Sequence, residues 1–200
     1  MRRLCLVVLL MSSLPVAGHA AQATADWPCV QRMQPHLSLG QVWTGPVPDA
    51  SAQARVASPD IAALADAIAE RRMPLADAEA RIAEFAQGRD AAALTALMQG
   101  VFDRIDRHRA RLIEGIGRFG NKQVSLAARI ETHRARMAEL SAAQTPDFDA
   151  IDATEEALDW DSRVFEERQQ SLTYVCETPV ILEQRLFALG RAIAGHLPAD

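Results

Sequence analysis

From Ser58 onward the apolar positions recur at steps of three and four, the period of a helix with one buried face. Ser58-Pro59-Asp60 supplies an N-cap residue followed by proline at the first helical position, and Ile61, Leu64, Ala65 and Ile68 then fall on one side. Met73-Pro74 ends that helix. A second one carries Leu75, Ala78, Ile82 and Phe85, with Gly88 as its stop. Asp90 opens a longer helix with the stripe Leu94, Leu97, Val101, Ile105, His108, Leu112, Ile116 and Phe119, a helix-packing seam. Gly117, Gly120 and Asn121 predict a turn, after which Leu126, Ile130, His133, Met137 and Leu140 form the face of a further helix. The run Ser141–Asp147 ends it. The next helix extends from Asp147 to about Cys176, with Ile151, Leu158, Phe165 and Leu172 spaced in sevens, and Thr178-Pro179 is expected to break it. A last helix over Val180–His196 turns Leu182, Leu186, Leu189 and Ile193 inward. No stretch alternates with period two. The fold class is therefore all-α: an elongated up-and-down helical bundle with a long central antiparallel hairpin, one domain over residues 58–200.

Within the predicted hairpin one phrase is written twice, RIDRHRARLIE at Arg104–Glu114 and RIETHRARMAE at Arg129–Glu139, with seven of eleven positions identical. A turn at Gly120-Asn121 would bring His108 and His133 to the same level on facing helices. Arg109, Arg111, Arg134 and Arg136 would flank them, next to Asp106 and Glu131. Two close imidazoles among arginines would resist protonation, so this candidate seam could serve interaction or pH response, or simply pack. A metal site is disfavoured, because no carboxylate stands one turn from either histidine and the arginines repel a dication. No metal or other cofactor is expected.

The chain ahead of residue 58 has a different texture. Arg2 and Arg3, the apolar run Leu4–Met11 and small residues around Ala20 form a secretory pattern, so residues 1–20 are expected to be a cleaved signal peptide and the mature protein periplasmic. Residues 21–57 contain Pro28, Pro35, Pro46 and Pro48, which favour extended and turn backbone. This irregular segment is expected to lie on the helical body, with Trp27 and Trp43 as its anchor aromatics and Val30, Leu37, Leu39 and Val42 between them. After cleavage two cysteines remain, and in an oxidising compartment Cys29 and Cys176 most simply form a disulfide. Neither Cys-x-x-Cys nor a c-type haem motif occurs.

The net charge is −5, or −7 once Arg2 and Arg3 are removed, which argues against a nucleic-acid partner. The charge is unevenly placed. Arg104–Arg136 nets +6, and Asp147–Glu167, with nine acids against Arg163, nets −8. These opposed runs either pair inside the bundle or face partners. No 18-residue apolar stretch follows the leader, so no transmembrane helix is expected in the mature chain. Hydrolase, metalloprotease, phosphate-loop and dinucleotide motifs are missing. The expectation is a non-catalytic exported scaffold or interaction protein with a protein partner. The alternatives are a periplasmic ligand-binding sensor using the histidine pair, and an enzyme without a recognisable motif.

Overall fold

The computed structural model describes residues 27–198, so the expected signal peptide lies outside the described residues. Among the described residues six helices follow one another: α1 Leu39–Val42, α2 Ala50–Arg55, α3 Pro59–Ala69, α4 Leu75–Ala86, α5 Ala91–Ala142 and α6 Phe148–Ala194. Among the described residues there is no strand, and the all-α bundle stands. Its central antiparallel hairpin is α5 with α6. α2 and α3 pack on α5, and α1 and α4 on α6.

Local chemistry sets most of the ends. Asp49, Asp90 and Asp147 are N-caps whose carboxylates accept the backbone N–H groups of Ala52, Ala93 and Ala150. Arg55 clasps both oxygens of Asp90 at 2.7 and 2.8 Å, tying α2 to the start of α5. Gly88 ends α4 with φ of 70°, a left-handed conformation open to glycine at no steric cost.

Two expected breaks are not breaks. α5 runs unbroken through Gly117, Gly120 and Asn121 for 52 residues. A glycine inside a helix costs only about 1 kcal/mol relative to alanine. Beyond Gly120 the buried side continues without a phase change through Gln123, Leu126 and Ile130, so packing outweighs that cost. α6 likewise runs through Pro179, which is itself buried. Pro179 cannot donate to Val175, yet the helix past it delivers Leu182, Leu186, Leu189 and Ile193, all almost fully buried, into the main core. Thr178 Oγ1 donates to the Tyr174 carbonyl at 3.0 Å, one residue from the gap. The real turn is residues 143–147, where Pro146 precedes the Asp147 cap.

The molecule has a thick end and a thin end. In the base, α1 to α4 enclose the first half of α5 and the last third of α6 around Ile61, Ile68, Ile82, Leu97, Met98 and Leu186. Gly190 is required here, because a Cβ at that position would collide with the Val42 carbonyl. A second small cluster of Trp27, Cys29, Ile113, Ile116 and Cys176 closes the base where the hairpin leaves it. Beyond lies an arm that, among the described residues, is made of α5 and α6 alone. From Gly117 to Ala142 it extends about 39 Å at 1.5 Å per residue.

Candidate interaction surfaces

At the base, residues 27–38 form a strap across the hairpin, held at three places. Cys29 and Cys176 are joined as a disulfide with Cα atoms 5.6 Å apart. Asp106, on α5, receives the Leu37 backbone N–H on Oδ1 at 2.8 Å and contacts His36 Nδ1 through Oδ2 at 2.8 Å. Arg109, one turn further, donates to the Gln34 carbonyl and to Glu183 of α6 at 3.4 Å. Proline-rich backbone leaves its N–H and C=O groups without a helix to satisfy them, and these two buried side chains supply partners. Trp27 and Trp43 are both buried, and Trp43 Nε1 donates to the Pro46 carbonyl at 2.8 Å. Val30, expected among the anchors, is exposed instead. The stretch read as irregular also contains the short helices α1 and α2.

The doubled phrase lies on one helix, so the expected histidine pair does not exist. His108 and His133 are 25 residues apart on α5, about 37 Å along its axis. Twenty-five residues are almost seven turns, so both copies present the same side of α5 to different surroundings. In the first copy the leading arginine, Arg104, binds Asp66 and the Ala62 carbonyl of α3. In the second, Arg129 grips both oxygens of Asp161 on α6, at 3.0 and 2.7 Å. Arg109 is buried under the strap, whereas its counterpart Arg134 pairs with Glu131 on the surface at 2.6 Å. Arg136 pairs with Glu139 at 3.2 Å. His108 is exposed and lines a shallow polar cavity of about 340 Å³ with Arg107, Arg111, Asp66 and Glu70. His133 is half-buried, its Nε2 3.5 Å from Asp161.

The arm seam is mixed. Leu126, Ile130 and Leu140 are buried, but so are Gln123 and Asp161. Gln123 donates to the Phe165 carbonyl at 3.3 Å, while its own Oε1 is buried without a partner. The Asp161 carboxyl is held below the ordinary carboxylate range, first by the hydrogen bonds from Arg129, with a smaller pull from His133. Facing residues have numbers that add to about 290, as in Arg109 with Glu183 and Arg129 with Asp161. The acidic run of α6 therefore lies beside residues 123–143, which carry only three arginines against Glu131 and Glu139. Among the described residues Asp161 is the sole member of that run paired with α5, so the rest of its charge faces outward.

The outward side of α6 is the feature that sequence reading passed over. Trp160 is 64% exposed and Phe148, at the tip, 71%. Asp152, Glu155, Glu156 and Asp159 surround Trp160 with Arg163, forming an open trough of about 790 Å³ floored by Ala153 and Ala157. The signal was a tryptophan inside a run of nine acids, where helical amphipathicity gives it no core to enter. Among the described residues no group of three or more His, Cys, Asp or Glu side chains is placed to hold a metal ion, and no helix is long and apolar enough to cross a membrane. The chain matches no family model, and no curated protein or solved structure matches it.

Proposed function

We propose that this is a non-catalytic, exported interaction protein: a disulfide-fastened base that holds out a two-helix arm as a docking surface. The observation that carries the reading is the arm itself. Among the described residues no third helix covers it, its seam is thin, and it leaves Trp160 and Phe148 in solvent among uncompensated carboxylates. Large exposed aromatics rimmed by charge mark contact surfaces on stable proteins. A periplasmic location is supported by the Cys29–Cys176 disulfide, which a reducing cytosol would not maintain, and by the secretory pattern of residues 1–20. The absence of a histidine pair removes the feature on which the sensor alternative depended.

The test is site-specific photo-cross-linking in the native host. A photoreactive residue at Arg136, Glu155 or Glu167 on the arm is expected to trap discrete adducts, and one at Asp77 or Glu79 on α4 is expected to trap none. Absence of adducts from every arm position, or equal trapping from α4, overturns the reading.

A further inference from the structure

The trough beside Trp160 has a shape and a charge that specify what fits it. Three tryptophans allow a comparison within the chain: Trp27 and Trp43 are 8% and 6% exposed, Trp160 is 64%. Trp27 and Trp43 are covered by the base, whereas Trp160 is on the side of α6 that no other element among the described residues covers. Ala157 and Ala153 lie one and two turns before Trp160 on the same side of α6, so the helix surface is low there and rises to an indole wall. The rim holds four carboxylates and a single arginine, Arg163, a net of −3. Among the described residues none of Asp152, Glu155, Glu156 and Asp159 is in an ion pair, so the charge is not satisfied within the chain.

We infer that this face of α6 docks a basic, amphipathic polypeptide segment, one of whose apolar side chains sits over Ala153 and Ala157 while an Arg or Lys lies across the Trp160 ring. An exposed indole flanked by carboxylates attracts a cation twice, through the ring face and through the counter-charge. The alanine floor admits a side chain that a bulkier surface would exclude. An acidic segment would meet repulsion from every side of the rim except Arg163. The inference rests on the docking reading above and assigns the chemistry of the partner.

The test uses the mature, disulfide-bonded full chain and three labelled helical peptides. One carries arginines with a leucine face, one has serines in place of the leucines at equal charge, and one has glutamates in place of the arginines. The leucine–arginine peptide is expected to bind and to shift Trp160 emission, the other two to bind at least about tenfold more weakly. Trp160→Ala, and separately Asp152→Asn with Glu156→Gln and Asp159→Asn, should each weaken binding by about tenfold or more, the size of a contact hot spot. All four positions are on the exposed side of a helix, and circular dichroism checks that the variants stay folded. Arg111→Ser with Lys122→Ser should leave affinity unchanged. Equal affinity for wild type and Trp160→Ala overturns the inference, as does equal binding of the serine peptide. So does sedimentation showing that Trp160 mediates a dimer of this chain, or Trp160 emission that responds to calcium or magnesium in place of peptide. Failure here with arm cross-links intact would leave the docking reading standing with another partner chemistry; loss of all arm cross-links would remove both.

Discussion

The base and the arm share two helices and are stabilised differently. In the base α5 is covered on several sides, and Leu94, Leu97, Met98 and Val101 have no exposure at all. In the arm the same helix has one neighbour and buries one residue per turn or fewer, including Gln123. A helix on its own is marginal, and its stability comes from the face it buries. α5 is therefore secured at one end and held at the other by a narrow seam and the Arg129–Asp161 pair. The length of the hairpin gives reach, and its stability is concentrated at the root.

The largest expected effect is at the junction. Replacing Cys29 and Cys176 by serine releases a link between residues 147 apart, which a chain-entropy estimate puts at about 5 kcal/mol. Urea unfolding should show that loss, with proteolysis starting within residues 27–38 while the arm helices persist. Next, Leu97→Ala in the base should cost about 2–5 kcal/mol, and Leu126→Ala in the arm should fall at or below the bottom of that range, since a thin seam collapses around a missing side chain more readily. Equal losses would erase the distinction between the two regions. Third, Arg109→Ala strips partners from the Gln34 carbonyl and Glu183 and should cost about 1–3 kcal/mol, with amide exchange rising in the strap before anywhere else.

Asp161 tests the arm by pH. Its pKa is lowered in the folded state, so its contribution is present above the ordinary carboxylate value of about 4 and is lost as pH falls through the folded value. Amide exchange between pH 6 and 3 should show the arm losing protection ahead of the base, and Asp161→Asn should be less stable at pH 6 with a flatter acid limb. The smallest effect is a gain. Gln123→Leu removes a buried oxygen without a partner and completes the apolar seam, so it should stabilise the arm by about 0.5–1 kcal/mol, read as a raised arm midpoint in thermal melts followed by a label near the tip.

The helices were legible because their apolar steps are regular; their joints were not. Gly120-Asn121 and Thr178-Pro179 both carry local turn chemistry, and both are inside helices. What overrode them is long-range. The side chains beyond each point keep phase with those before it, and in α6 they fill the main core. Local signals succeeded where nothing opposed them, at Ser58-Pro59, Gly88 and Asp147. The misplaced turn carried the histidine pair with it. Placed at residues 143–147, the same antiparallel reasoning brings Arg129 to Asp161, the contact observed. The acidic tract is legible in the sequence as a run that either pairs inside the bundle or faces partners, but Trp160 within it is not marked out, because a single aromatic carries no period. Its significance depends on no third helix among the described residues covering the arm, which the pattern of one chain does not declare.

The closure between Cys29 and Cys176 also fixes an order of events. A chain made from its N-terminus presents Cys29 early, and its partner follows 147 residues later. Asp106 and Arg109 arrive midway through that interval, but the strap has no thiol to join until its end, and the core still lacks Leu182, Leu186, Leu189 and Ile193. The hairpin must form and fold back before the base can be sealed, so completion of the chain and completion of the fold are nearly simultaneous. A protein arranged this way has no early-folding half, and during its synthesis the waiting Cys29 thiol is open to any oxidant or foreign thiol that reaches it first.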